Sequence, residues 1–203
     1  MNCPNKLKEA VDVVNKKCLT LNCGIHVQNK YKGYCLRCFI YTFPNEQISR
    51  NYKTKEKYVI DAFLEKIKDF IKDEQILKDK TVGGCSLRRP DLVLDCYTHW
   101  IDIENDEEQH KRNNEQCDNK RNMQLFQDMA NRHMVLIRFN PDSFIKDDIR
   151  YKGLFKQNKN GIFVIDNKKE FDKRINKLVD LIIKHINIIP EKEFTTEYLF
   201  YND

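Results

Sequence analysis

Acidic residues flank two consecutive apolar runs of the sequence, and their types and spacing suit the binding of a divalent cation. Asp91 precedes the apolar run 92–94, and the next run, at 100–103, ends in Glu104 and Asp106. Short apolar runs bounded by turn residues predict two neighbouring β-strands. Carboxylate oxygens gathered on such strands are the hard ligands that Mg²⁺ or Mn²⁺ prefers.

The alternation of side chains along a strand places most of these acids on one face. Asp102, Glu104 and Asp106 are spaced two residues apart and share a face, whereas Ile101 and Ile103 point to the other. Carboxylates that crowd together repel one another unless a cation lies among them. A solvated acidic strand end has the same pattern, so the residues alone leave both interpretations open.

Half of the eight cysteines have the spacing of a zinc site: Cys18, Cys23, Cys35 and Cys38. The first pair is separated by four residues, the second by two, and eleven residues lie between the pairs. Two short knuckles joined by a turn supply the tetrahedron of thiolates that Zn²⁺ requires, and a closed four-cysteine site is structural rather than catalytic. His26 and Cys3 are alternative ligands, and four unrelated buried thiols are the alternative interpretation.

The composition is that of a soluble globular protein. Of 203 residues, 40% are hydrophobic and 33% charged, and the formal net charge is +5. The charges are interspersed, so this balance is compatible with nucleic acid but does not argue for it. No apolar run has the length of a membrane span and the first residues lack the apolar core of a signal peptide, so we expect an intracellular protein that is neither secreted nor in a membrane. In that setting eight cysteines indicate metal binding or buried thiols rather than disulfides.

The elements that must position the acids are predicted by hydrophobic periodicity. Thr54 is the expected N-cap of the first helix, with Glu56 in its first turn, and Pro44 ends a small module that we assign to residues 1–50. The order of elements predicts an α/β core with a mixed sheet in residues 51–203. In chain order the predicted elements are a helix over 54–72, a weak strand over 76–82, an antiparallel pair of strands over 91–96 and 99–104, a helix over 115–131 that buries Met123, a buried strand over 134–137, a strand over 161–165, a helix over 168–187 and a docked tail over 197–201.

This order, with Pro90 and Asp91 on one strand and 104–106 on the next, resembles the PD-(D/E)XK nuclease superfamily. Within it, the pattern of 89–91, 103–106 and 109–110 resembles the very-short-patch-repair-like endonucleases. The chain is also similar to uncharacterised proteins of large DNA viruses that join a cysteine-rich knuckle to a nuclease-like core. The segments that carry this similarity are 18–38, 51–56, 84–86, 88–91, 104–110, 120–121 and 138–142. The resemblance implies a restriction-endonuclease-like core, a mixed sheet flanked by helices, with a small N-terminal zinc-binding module.

The resemblance also implies a metal site. By position, Asp91 and Glu104 would be the carboxylates that bind Mg²⁺ or Mn²⁺, with the main-chain carbonyl of Asn105 as a third ligand. Glu56 stands where many of these nucleases place an additional acid. Phosphodiester hydrolysis requires such a metal because extra negative charge must be stabilised and a hydroxide delivered in line.

One departure concerns Asp106, which occupies the superfamily's lysine position. The very-short-patch-like group tolerates this change, and there the nearby histidine is thought to contribute. His110 is therefore the expected general base or acid, because an imidazole titrates near neutral pH; an ordinary surface histidine is the alternative. Gln109 is expected to orient the attacking water or contact phosphate, and Lys120 on the following helix to supply the missing positive charge.

The function implied is a metal-dependent endonuclease that hydrolyses DNA phosphodiester bonds in repair, recombination or a homing-like role. The alternative is a catalytically inactive, zinc-stabilised DNA-binding protein on a nuclease fold, and a third hypothesis is an enzyme that cuts RNA or branched DNA. A single site cuts one strand, so cleavage of both strands would predict a homodimer. The viral resemblance places the protein in the host cytoplasm, a viral factory or the virion. Cationic residues beside the acids are expected to contact phosphates, with solvated surface as the alternative: Arg88, Arg89, Lys111, Arg112, Arg121 and Arg138.

Overall fold

A computed structural model describes residues 17–21, 23, 25, 27, 31–78, 81–82, 84–86, 88–110 and 115–202, apart from the side chains of 108, 110 and 115–117. The chain divides into two units, Met1–Tyr52 and Lys53–Asp203. In the first unit, α1 (Leu36–Thr42) and α2 (Gln47–Asn51) follow the cysteine-rich segment. None of the helices in the described ranges has the length and apolarity of a membrane span.

The second unit is built on a mixed five-stranded sheet, so the predicted α/β core with a mixed sheet is confirmed. Its strands are β1 (Ile76–Lys78), β2 (Leu92–Asp95), β3 (Trp100–Asn105), β4 (Met134–Phe139) and β9 (Phe194–Leu199), in the order β1-β2-β3-β4-β9. The pairs β1–β2 and β2–β3 are antiparallel, whereas β3–β4 and β4–β9 are parallel. Parallel neighbours need crossover connections, which α4 (Glu115–Asp128) and α5 (Lys168–Asn187) provide.

Helices cover both faces of this sheet. On one face, α3 (Thr54–Ile67) and α5 pack against the strands, with Phe63, Ile101 and Ile175 in the shared core. On the other face, Leu125 and Met129, from α4 and its end, pack on Val93, Met134 and Leu136. Because side chains alternate along a strand, Ile101 and Ile103 join the α3–α5 core and the intervening acids turn towards α4, as the sequence predicts.

Two hairpins lie outside the main sheet. One pairs β5 (Phe144–Lys146) with β6 (Ile149–Tyr151), and the other pairs β7 (Phe155–Gln157) with β8 (Phe163–Ile165). The predicted strand over 161–165 is therefore part of a hairpin rather than of the main sheet. Short 3₁₀ helices span Asp73–Gln75 and Glu107–His110.

Other predictions differ from the structure in detail. The first helix ends at Ile67 rather than at 72, because 68–70 form a turn that leaves Phe70 exposed. Thr54 is the first residue of that helix and Lys53, in a left-handed conformation with φ 51°, is its N-cap. Met123, predicted to be buried, is 55% exposed. The predicted docked tail is a strand, β9, and it joins the main sheet.

Candidate functional site

The four cysteines of the first unit come together as the sequence predicts. Their sulfur atoms all lie within 4.8 Å of one another. The Sγ atoms of Cys23 and Cys35 are 3.8 Å apart, and those of Cys23 and Cys38 are 3.6 Å apart. A tetrahedral zinc ion with Zn–S bonds of about 2.3 Å places its sulfurs about 3.8 Å apart. The four cysteines can therefore bind zinc.

Backbone geometry holds the sulfurs in this arrangement. The Cys35 amide donates to Cys18 Sγ at 3.2 Å, and the Cys38 amide donates to Cys35 Sγ at 3.5 Å, where Cys35 caps α1. Amide donors of this kind orient thiolate ligands around a metal. Gly33 has φ +83°, and a Cβ there would lie 2.8 Å from Leu19 Cδ1. The alternative ligands Cys3 and His26 lie outside the described residues.

Three carboxylates, Asp91, Asp102 and Glu104, lie on the α4 side of the sheet, and we call them the acidic cluster. The register of β2 and β3 brings them together, because Val93 pairs with Asp102 and Leu92 with Ile103, which places Asp91 level with Glu104. Asp91 Oδ2 accepts a hydrogen bond from the Asn105 amide at 2.9 Å.

Asp102 is fully buried, and neither of its carboxylate oxygens accepts a hydrogen bond from any residue in the described ranges. Burial raises the pKa of Asp102 to about 7. Burial also raises the pKa of Glu104 well above its ordinary value, and the neighbouring charge of Asp102 adds to this effect. Burial likewise raises the pKa of Asp91. Since desolvation and mutual repulsion disfavour the ionised carboxylates, a cation among them is favoured.

Within the described ranges, two cations touch the acidic cluster. Arg121 Nη1, from α4, lies 2.8 Å from Glu104 Oε1. Lys53 Nζ lies 3.8 Å from Asp91 Oδ1 and 3.1 Å from Glu56 Oε1. Glu56, predicted as an additional acid of the site, is therefore linked to the cluster through Lys53. Lys120, from which a positive charge was expected, is exposed, whereas its neighbour Arg121 contacts the cluster.

Asp106 is fully buried and forms a separate network. It accepts hydrogen bonds from the Arg138 guanidinium and from the Tyr201 hydroxyl, and Arg138 Nη1 donates to Asp118 at 3.2 Å. Burial raises the pKa of Tyr201, which therefore keeps the proton that it donates. Asp106 thus orients an arginine and a tyrosine.

The remaining predicted residues lie near the end of β3. Gln109 donates to Asn202 Oδ1 at 3.0 Å and to the Ser143 carbonyl at 3.3 Å, so its amide ties two loops together. His110 ends the 3₁₀ helix that follows β3, and its side chain lies outside the described residues. That 3₁₀ helix is joined to α3 by the ion pair between Lys55 and Glu107, at 3.3 Å.

Lys53 was missed as a site residue because nothing in its local sequence marks it. Its contact with Asp91 depends on how α3 docks on the sheet, and a lone lysine before a helix is usually solvated surface. The available signals were its position beside Thr54, the predicted helix start, and its place in the segment 51–56, which carries part of the viral similarity.

The donor set of the acidic cluster suits a hard divalent cation, because all its side-chain ligands are oxygens and those of Asp102 lack partners in the described ranges. Its oxygens do not gather as closely as the sulfurs do: in the described part of the chain only the four cysteines bring three or more such ligand atoms within 4.8 Å. Arg121 contacts Oε1 of Glu104, so an ion held by Asp91 and Glu104 would compete with it for this carboxylate.

No protein-family model, curated protein or solved structure matches this chain. The functional interpretation therefore rests on the geometry and chemistry of these residues.

Proposed function

We propose that the chain is a metal-dependent endonuclease of the PD-(D/E)XK superfamily, in its very-short-patch-repair-like group, that hydrolyses phosphodiester bonds of DNA. The observation that carries the proposal is the acidic cluster: three acids with raised pKa values, one of them fully buried without a hydrogen-bond partner in the described ranges, at the end of an antiparallel strand pair beneath α4. Such a cluster is costly to keep without a function, because ionised carboxylates in a desolvated site are unstable unless a cation joins them.

Asp91 and Glu104 would hold Mg²⁺ or Mn²⁺, with the carbonyl of Asn105 as a further ligand. Asp102, directly behind Glu104 on β3, would add negative charge to the site. A bound divalent ion lowers the pKa of its water and neutralises charge that develops on phosphate.

The chain's own cations and proton carriers supply the other parts of the chemistry. Lys53 lies between Glu56 and Asp91, so its ammonium is placed to meet a scissile phosphate and offers the positive charge that Asp106 does not. His110 is the proposed proton carrier, and Gln109 holds the loop beside it. The first unit would serve as a zinc knuckle that stabilises its short segment, with zinc bound by the four cysteines.

Cleavage of supercoiled plasmid DNA tests this proposal. With Mg²⁺ or Mn²⁺ the protein should nick or linearise the plasmid, and Glu104→Gln should lower the rate roughly a hundredfold or more, since a metal ligand acts on several kcal/mol of the barrier. Glu65→Gln is the matched control, because Glu65 pairs only with Lys68 on the outer surface of α3 in the described ranges. Equal rates for wild type and Glu104→Gln, or no cleavage by either, would contradict the proposal.

One observation favours the inactive alternative. Arg121 neutralises Glu104 directly, at 2.8 Å, so the acidic cluster already has a cation of its own. A DNA-binding protein that had lost catalysis could keep the core in this form. DNA binding without cleavage, together with no stabilisation by Mn²⁺, would support that function over the nuclease.

A further inference from the structure

A pocket of about 410 Å³ opens on the same side of the sheet as the acidic cluster, between α4 and strands β4 and β9. Its volume is within the range of small-molecule sites, which is roughly 300–1,000 Å³. Asn119 and Asn122 of α4 form one wall, and Arg138, Tyr198 and Tyr201 form the other. This pocket, which we call the amide–tyrosine pocket, also includes Gln109 in its wall, the residue that holds the loop of the proposed proton carrier.

The charges around the amide–tyrosine pocket disfavour an anion. Arg138 is already bound by Asp106 and Asp118, so its positive charge is matched by two carboxylates. Asp118 also lines the pocket and would repel a phosphate or carboxylate ligand. An anionic ligand is therefore disfavoured in this pocket.

The polar groups and the aromatic rings of the pocket suit a nucleobase. The amides of Asn119 and Asn122 can donate and accept hydrogen bonds side by side, which is the pattern on the edge of a base. Tyr198 is 57% exposed, and its ring meets Tyr201 edge-on, with centroids 5.0 Å apart. An exposed tyrosine ring offers a face on which a base can stack.

A second pocket, of about 460 Å³, shares Tyr198 and Tyr201 with the first. Unlike the first pocket, it favours an anionic ligand. Three lysines line it, Lys146, Lys173 and Lys177, and none of them makes an ion pair within the described ranges. Among the described residues of its wall the one acid is Glu170, which is bound to Arg174 at 3.0 Å. This lysine pocket therefore suits phosphates.

The two pockets meet at the tyrosines, and the first lies close to the acidic cluster. Arg138, in the wall of the amide–tyrosine pocket, pairs in register with Glu104 on the adjacent strand. Neighbouring strands are about 4.8 Å apart. A polymer with neutral planar groups and regularly spaced anions would fit both pockets, with a planar group on the α4 face beside the proposed catalytic centre and the anions on the α5 face.

We propose that these pockets bind a single strand of nucleic acid, with one unpaired base in the amide–tyrosine pocket and the adjoining phosphates against the lysines. The inference rests on the proposed function and adds to it the state of the substrate. The base must be unpaired, because a base within a duplex is stacked on both faces and paired along its edge.

Fluorescence anisotropy with a labelled single-stranded oligonucleotide, in buffer without added Mg²⁺ or Mn²⁺, tests the inference on the full chain. Tyr198→Ala should weaken binding about 5- to 150-fold through lost stacking, whereas Tyr198→Phe should retain it. Tyr97→Ala, which removes another exposed tyrosine, should change nothing. Lys177→Ala should reduce the slope of log affinity against log salt by about 0.7, and Lys184→Ala on the same helix should not.

Three further probes show whether binding requires an unpaired strand, its bases and its length. They are a duplex of the same sequence, the same strand with abasic sites, and a free mononucleotide. The inference predicts that the intact single strand binds best. Equal binding of the abasic strand, tighter binding of the duplex, or a mononucleotide bound as tightly as the strand would each overturn it, as would equal effects of Tyr198→Ala and Tyr97→Ala. Since no hydrolysis is involved, failure here is distinct from failure of the cleavage experiment, and unfolding midpoints identify any variant that is misfolded.

Discussion

Arg121 is the residue on which the chemistry of the acidic cluster depends. Its guanidinium lies against Glu104 and lowers the repulsion among three desolvated carboxylates. A divalent cation would supply the same compensation, so the arginine and the metal compete for one carboxylate. This competition makes the proposed metal site measurable without any nucleic acid.

We expect Arg121→Gln to lower the free energy of unfolding by about 3 kcal/mol without divalent ions, because breaking a buried ion pair leaves its acid uncompensated. Mn²⁺ should then stabilise this variant more than it stabilises the wild type. Urea unfolding with and without Mn²⁺ measures both effects.

Arg132→Gln is the matched control for that experiment. Arg132 also binds an acid, Asp95, at 3.0 and 3.1 Å, but at the opposite end of β2. The loss of stability in Arg132→Gln should be the same with and without Mn²⁺. If Mn²⁺ stabilised Arg121→Gln no more than the wild type, the arginine would not be occupying a metal ligand.

At the residue scale, the sequence predicts which acids share a face but not which cations meet them. Period-two alternation is a local property, and it correctly separates Asp102 and Glu104 from Ile101 and Ile103. The partners of Asp106 lie 32 and 95 positions away in Arg138 and Tyr201. Contacts at such separations are set by helix docking and by strand order, which periodicity does not encode.

At the element scale, the best-predicted element is α5, whose range agrees with the predicted 168–187 because a continuous apolar stripe and the Asn167 cap define it. The hairpins β5–β6 and β7–β8 were not predicted as pairs, since three-residue strands carry little periodicity. The antiparallel pairing of β2 with β3 was predicted from their short connection, and it is confirmed.

The junction between β3 and α5 is held by histidines whose titration should be visible in the stability of the protein. His99, just before β3, is 1% exposed, and its Nε2 lies 2.8 Å from the carbonyl oxygen of His185 in the last turn of α5. Burial lowers the pKa of both histidines.

In the unfolded chain these histidines bind protons near pH 6.5, whereas in the folded chain their lowered pKa values delay protonation to lower pH. The free energy of unfolding should therefore fall as the pH drops below about 6.5. The acidic cluster acts with the opposite sign: its raised pKa values make stability fall as the pH rises from about 4 towards 7. Comparing wild type with His99→Gln by urea unfolding between pH 8 and pH 5 isolates the first effect. The difference in stability between the two proteins should shrink as the pH is lowered, and a constant difference would argue against it.

At the scale of the whole molecule, the chain consists of two units that depend on different sources of stability. The second unit has cores on both faces of a five-stranded sheet, whereas the described part of the first unit has few buried apolar residues, among them Phe39. A segment of that size usually needs a metal to remain folded. The α/β class and the cysteine cluster were both predictable from the sequence, because long periodic segments and regular cysteine spacing carry strong signals.

We therefore expect one zinc ion per chain by elemental analysis and its loss in Cys38→Ser. Without zinc, the first unit should become sensitive to limited proteolysis while the second keeps its unfolding transition. Cys85→Ser is the control, because Cys85 is an exposed thiol outside the cluster and its replacement should leave the zinc content unchanged. A metal-free protein that resists proteolysis in both units would refute the zinc assignment.

The hydrogen bond between Asp106 and Tyr201 has a consequence for the order in which the molecule is made. Ribosomes add about 5–20 residues per second, so roughly 5–20 seconds pass between the synthesis of these two residues, which are 95 positions apart. During that interval the acids of β3 exist on a nascent chain that lacks β9 and the tyrosines. The proposed nucleic-acid-binding surface, which needs Tyr198 and Tyr201, is thus incomplete until β9 and the residues after it have been made.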